Sequence, residues 1–109
     1  MINKISVIEL KKVCESKKHF TLLDVRTSIE VSKAKIAINS IHIPMNEIPI
    51  KMSDLNKNDD IIVYCKSGVR SKKVCDYLID NNFKNIRNLE GGILAWANEI
   101  DHSLLNKLF

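Results

Sequence analysis

Ile61-Ile62-Val63-Tyr64 is the segment that most constrains the fold of this chain. It is an unbroken apolar run of β-favouring residues. The polar turn Asn56–Asp60 precedes it and a glycine-bearing loop follows it. Such a run, bounded by turn residues, predicts a short buried strand. Phe20–Val25 reads as a second buried strand, and Ile41–Ile43 as a third, stopped by Pro44. Asn85–Asn88 reads as another short strand.

Helical signals fall between these runs. Ser6-Val7-Ile8-Glu9 fits a capping box, in which Ser6 caps and Glu9 reaches back. Val7, Leu10, Val13 and Cys14 then share one helical face. Ser28 is expected to cap a short helix through Lys33. Asn46–Leu55 reads as helical turns interrupted by Pro49. Val74, Cys75, Leu78 and Ile79 mark an apolar face on a helix from about Ser71 to Asp80. After a Gly91-Gly92 turn, Ile93, Trp96, Ala97 and Ile100 mark another. The tail Ser103–Phe109 reads as one more helical turn or as fraying chain. Strands alternating with helices predict an α/β domain whose central sheet is mostly parallel, with helices on both faces. In such sheets, sites form beyond the carboxyl ends of the strands. Asp24 and Cys65 both fall at those ends.

The 109 residues fit one domain, with no repeat or linker. The net charge of +4 favours small anions or acidic partners. Nucleic acid is not the expected partner, because the 17 Lys and Arg are dispersed and only 6% of residues are aromatic. Met1–Lys12 contains no apolar run of signal-peptide or membrane-span length, so no membrane association is expected. The cysteines are Cys14, Cys65 and Cys75, an odd set without a CxxC pair. That pattern predicts a reduced cytoplasmic protein with neither a disulfide framework nor a structural zinc site. The acids show no metal-binding spacing, and neither metal nor cofactor is expected.

Chemistry concentrates in Cys65-Lys66-Ser67-Gly68-Val69-Arg70-Ser71, between a strand and a helix. A thiol acts as a nucleophile through its thiolate, which helix N-termini and nearby cations favour. Lys66, Arg70, Lys72 and Lys73 follow Cys65, and no acid intervenes before Asp76. Gly68 permits backbone angles closed to other residues, so the loop N–H groups can converge as an anion nest. Cys75 shares the apolar helix face with Val74 and Leu78, and Cys14 lies on another, so both read as core. Lys72 and Lys73 also fit a plain solvated helix face. His19, His42 and His102 are scattered and form no Ser-His-Asp set with their surroundings.

Four motifs in order resemble the rhodanese family of single-domain sulfurtransferases. They are Leu23-Asp24-Val25-Arg26, Ile43-Pro44, Tyr64 through Ser71, and Asn88-Leu89-Glu90-Gly91-Gly92-Ile93-Leu94-Ala95-Trp96. The resemblance runs from about Ile5 to Glu99 and leaves residues 100–109 as a tail. It implies a single rhodanese-like domain with a sheet of about five strands. It also implies that Cys65 takes a sulfane sulfur from thiosulfate or a protein persulfide and passes it to a thiophilic acceptor. Backbone N–H groups from Lys66 through Ser71 would hold that sulfur, including those of Ser67, Gly68 and Val69. Lys66 and Arg70 would attract the anionic donor, and Ser71 would begin the helix. Asp24 would orient the loop, with Arg26 and Glu30 pairing as support. Gly91-Gly92 and Trp96 would pack the last helix onto the sheet. The family's Gly-His-Ile-x-Gly-Ala run is absent, since Ala34–Ser40 contains no glycine.

Cysteine phosphatases, and arsenate reductases of the same fold, also place an Arg after a Cys loop, with five residues between the two. Here four separate Cys65 from Arg70. The shorter cradle suits one sulfur better than a tetrahedral phosphate. A non-catalytic interaction module and a sulfur-relay partner are the remaining readings, and Cys65 speaks against the former.

Overall fold

The computed structural model describes residues 3–109. Met1 and Ile2, part of the stretch read above for an apolar run, lie outside the described residues. The strands are β1 (Asn3–Ile5), β2 (Thr21–Asp24), β3 (Ser40–His42), β4 (Asp60–Tyr64) and β5 (Asn85–Leu89). The helices are α1 (Val7–Glu15), α2 (Ser28–Lys33), α3 (Ile48–Lys51), α4 (Val69–Asp80) and α5 (Gly92–Glu99). Short 3-10 segments flank α3, and a further one, His102–Lys107, follows α5. The strands form one parallel sheet in the order β1-β5-β4-β2-β3, with β4 at the centre. Among the described residues, no helix is long and apolar enough to cross a membrane.

Side-chain alternation along β4 divides the core. Ile62 and Tyr64 pack with Leu10 of α1 and Trp96 of α5. Ile61, Val63 and Cys65 pack on the other face with Val74, Cys75 and Leu78 of α4. Both faces are therefore covered, as the alternation of elements predicts. That is why β4 carries no polar residue after Asp60.

The differences from the sequence reading have local causes. β1 went unread because Asn3-Lys4-Ile5 is only three residues long and its first two are exposed. It is held at the sheet edge by parallel pairing with Arg87–Leu89. The cap of α2 is Thr27, not Ser28, and Thr27 forms a full capping box with Glu30. Pro49 does not interrupt α3; it sits in the first turn, where its missing N–H costs nothing. Helix α4 begins at Val69 rather than Ser71, and Ile79 is exposed instead of joining the apolar face. The glycine-free stretch 34–40 needs no glycine: among the described residues, positive φ occurs only at Gly68, Gly91, Gly92 and Asn82. Ala34 closes α2 in extended backbone, and Ile36 is wholly buried. The tail is ordered into 3-10 turns that bury Leu104.

Asp24 and Arg26 are both buried at the carboxyl end of β2. The Arg26 Nε and Nη2 donate to Asp24 at 3.0 and 2.8 Å, and the Arg26 backbone N–H donates to the same carboxylate. Nη2 also donates to the Ala34 carbonyl at 2.8 Å, tying β2 to the end of α2. Removing one partner of a buried pair leaves an uncompensated charge. Asp24→Ala is therefore expected to cost about 3–5 kcal/mol in urea unfolding. The volume-matched double change Asp24→Leu with Arg26→Met should recover most of that loss.

Candidate active site

Cys65 ends the inward alternation of Ile61 and Val63, so its side chain enters the core under the start of α4 and is only 1% exposed. Gly68, at φ 102°, turns the chain into α4. A side chain there would be strained, which accounts for the glycine. The turn aims the Gly68 N–H at the Cys65 Sγ at 3.1 Å and the Ser71 N–H at 3.4 Å. These are donors that a helix N-terminus leaves without an internal partner. The Ser71 Oγ lies 3.3 Å from the same sulfur.

The carbonyls of the loop are held from behind. The Ile93 and Leu94 N–H groups at the start of α5 donate to the Cys65 and Lys66 carbonyls, at 3.0 and 3.1 Å. Gly92 makes this approach possible, since a Cβ there would stand 2.5 Å from both carbonyl oxygens. Gly91-Gly92 thus shapes the Cys65 loop as well as packing the helix. Asn88, on β5, donates through Nδ2 to the Gly68 carbonyl at 3.1 Å. Its Oδ1 accepts the Ser71 hydroxyl at 2.6 Å. Asn88 was quoted above only as part of a motif; an amide in a short strand gives no sign from spacing that it faces a loop.

Burial pushes the Cys65 thiol up, but hydrogen bonds from the Ser71 hydroxyl and the N–H groups of Ser71, Gly68 and Ser67 more than offset it. The thiolate is therefore favoured by these bonds, rather than chiefly by the loop cations as the sequence suggested. Arg70 is not aimed at the sulfur as a free cation. Its Nη1 and Nη2 donate to Glu30 at 2.7 and 2.9 Å. Glu30 pairs with Arg70 and not with Arg26, whose carboxylate partner is Asp24. Asp24 accepts no hydrogen bond from the Cys65 loop; it acts on the Arg26–Ala34 connection beside it. Lys66 is half-buried, with Nζ 5.1 Å from the Phe109 ring centroid. Ser67 and Val69 are exposed at the mouth of the loop, and Lys72 and Lys73 are exposed on α4. Cys75 is buried, and burial, with the charges of Asp76 and Cys65, pushes its thiol up to about 12. Cys14 is half-buried, and burial raises its thiol too.

The Ser71 hydroxyl has one proton and two acceptors. With Cys65 as a thiol, the chain runs from S–H to the Ser71 oxygen and from Ser71 to Asn88. With Cys65 as a thiolate, the Ser71 proton turns to the sulfur. Bonds to a charged acceptor are the stronger kind, so Ser71 favours the thiolate on balance. The iodoacetamide reaction of Cys65 should rise with pH through a midpoint below that of an ordinary thiol. Ser71→Ala should slow it about tenfold at neutral pH, the scale of one charge-assisted hydrogen bond. Cys75 should stay unmodified in the folded protein. The Arg70 hydrogen bonds hold Glu30 down to about 2. A depressed carboxyl stabilises the fold above its unfolded value and loses that contribution as pH falls through its folded one. The Arg70–Glu30 clamp should thus persist through pH 4 and open only near pH 2, followed by the Glu30 carboxyl resonance.

Known proteins share this fold. A family profile described as Rhodanese-like domain matches residues 6–99. A sulfurtransferase from Allochromatium vinosum is 37% identical over 97 residues, covering 89% of this chain and 90% of that protein. The crystal structure of a rhodanese-like domain protein from Staphylococcus aureus superposes with a TM-score of 0.84 at 37% identity, covering 91% of this chain and 95% of the other. A rhodanese-related protein from Thermoplasma volcanium gives 0.80 at 33% identity, covering 90% and 93%. With sequence and fold in agreement over nearly its whole length, the chain belongs to the rhodanese-like domain family.

Proposed function

We propose that this chain is a sulfurtransferase in which Cys65 carries one sulfane sulfur as a persulfide. The observation that carries the proposal is the buried Cys65 Sγ with the Gly68 and Ser71 N–H groups directed at it. The Cys65 thiolate attacks the outer sulfur of thiosulfate. A Cys65 S–S bond forms, the donor S–S bond breaks, and sulfite leaves with the bonding pair. The product is the anion Cys65–S–S⁻, and total charge is conserved. A thiophilic acceptor such as cyanide then takes the outer sulfur and returns the Cys65 thiolate. Neither step requires a histidine, because no proton is removed once the thiolate exists. A protein persulfide could replace thiosulfate by the same exchange.

In this reading the N–H groups from Lys66 to Ser71 hold the outer sulfur, and Lys66 draws the anionic donor. Arg70 braces the loop through Glu30, and Asp24 with Arg26 sets the backbone behind it. The commitment of Arg70 to Glu30 also weighs against a phosphatase, whose arginine must grip the phosphate itself.

Thiosulfate should add one sulfur atom to the intact mass of the wild type and none to Cys65→Ser. Thiocyanate formation from thiosulfate and cyanide should vanish in the same variant. Activity surviving in Cys65→Ser would sink the proposal. Glu30→Gln should reduce turnover yet leave the added sulfur on Cys65 detectable, since it loosens the brace and spares the nucleophile.

A further inference from the structure

Between the Cys65 loop, α2 and the tail lies a cavity of about 160 Å³. Two of its charged lining groups are already neutralised: Arg26 by Asp24 and Glu30 by Arg70. Three more, Lys33, Lys66 and Lys107, form no ion pair among the described residues. They arrive from separate parts of the chain, namely the end of α2, the residue after Cys65, and the end of the last 3-10 segment. Ile29 and Leu108 supply apolar wall between them.

Lysines at helix ends are commonly solvated and complement the helix dipole, and Lys33 and Lys107 are exposed enough for that. That account covers each lysine singly, but not their convergence with Lys66 on one cavity. Like charges around a shared space repel, and a bound anion turns that repulsion into attraction. The Lys66 Nζ, 5.1 Å from the Phe109 ring centroid, is drawn toward the tail side of the loop. The cation next to Cys65 in sequence therefore faces this cavity. The space is smaller than the ~300–1,000 Å³ of a complete small-molecule pocket, so it accepts one end of a ligand.

We infer that the Lys33–Lys66–Lys107 cavity is a subsite for the carboxylate end of a small thiol that accepts sulfur from Cys65. The inference rests on the sulfurtransferase reading and names the class of its acceptor. The acceptor thiolate attacks the outer sulfur of the anion Cys65–S–S⁻. A new S–S bond forms on the acceptor, and the bond to the Cys65 Sγ breaks with its electron pair staying on Cys65. The acceptor leaves as a persulfide, and no external oxidant or reductant is needed.

The test loads Cys65 with thiosulfate, removes the donor, and follows loss of the added sulfur to mercaptosuccinate and to neutral 2-mercaptoethanol. The Lys33→Gln, Lys107→Gln double variant leaves Lys66 and the Cys65 loop intact. It should lower the mercaptosuccinate-to-mercaptoethanol rate ratio about five- to tenfold, the scale of two exposed ion pairs. The 2-mercaptoethanol rate itself should hold within about twofold, because a neutral thiol gains nothing from those charges. An unchanged ratio would overturn the inference. A second readout needs no transfer activity: succinate titrated into the nitrogen-15-labelled, unloaded protein. Saturable shifts at the Lys33 and Lys107 amides, lost in the double variant, are expected. Their absence in the wild type overturns the subsite. If Cys65 takes no sulfur at all, the sulfurtransferase reading fails, and the succinate titration still decides the subsite.

Discussion

Two hydrogen bonds from the start of α5 set the polarity of the Cys65 loop. A peptide group has a donor end and an acceptor end. With the Cys65 and Lys66 carbonyls held by the Ile93 and Leu94 N–H groups, those acceptors point away from the sulfur. The Asn88 amide takes the Gly68 carbonyl in the same way. What remains on the sulfur side are donors. A thiolate at the end of an apolar strand would otherwise be disfavoured by burial, since desolvation penalises the charged form. Gly92 is the sequence's concession to this arrangement, because any Cβ would collide with the carbonyls that α5 must reach.

A second layer of charge pairs holds the first in place. Arg26 joins Asp24 to the Ala34 carbonyl and so fixes the far end of α2. Glu30, in the first turn of α2, both closes the Thr27 capping box and receives Arg70 from the first turn of α4. Helix α2 is therefore a short strut between the end of β2 and the mouth of the loop. It buries no apolar residue of its own, so polar contacts are what hold it. A strut of this kind keeps the loop aligned while its surface stays open to solvent. Buried pairs contribute less to net stability than their distances suggest, and their best-attested use is to specify one arrangement.

The sheet and the position of Cys65 were legible in the sequence because both follow from short-range chemistry. The run Ile61–Tyr64, Gly68 and the following basic helix place a cysteine at a strand end beneath a helix start. Partnerships across the fold were not legible. Arg26 has an acid two residues before it and another four after it, and spacing alone favoured Glu30. Burial decided otherwise, because Asp24 shares the fully buried end of β2, whereas Glu30 is only half-buried and pairs with Arg70. The same limit hid Asn88, which reaches the loop only through the parallel register of β4 and β5. It also hid β1, whose pairing with β5 supplies what its three residues cannot. The family's glycines are missing from 34–40, and that path uses no positive φ, so the fold does not need them there.

The Ser71–Asn88 pair links this geometry to the proposed cycle. Negative charge sits on the Cys65 Sγ in the free thiolate and on the outer sulfur, about 2.05 Å further out, once a persulfide forms. The donors needed at the Sγ therefore change during each transfer. Backbone N–H groups cannot turn, but the Ser71 hydroxyl can. With the charge on the Sγ, its proton serves the sulfur; with the charge moved outward, it returns to the Asn88 Oδ1, 2.6 Å away. Asn88 cannot rotate out of this role without giving up the Gly68 carbonyl. In the proposed cycle, one rotatable proton between two fixed acceptors would let a rigid loop serve both states of Cys65.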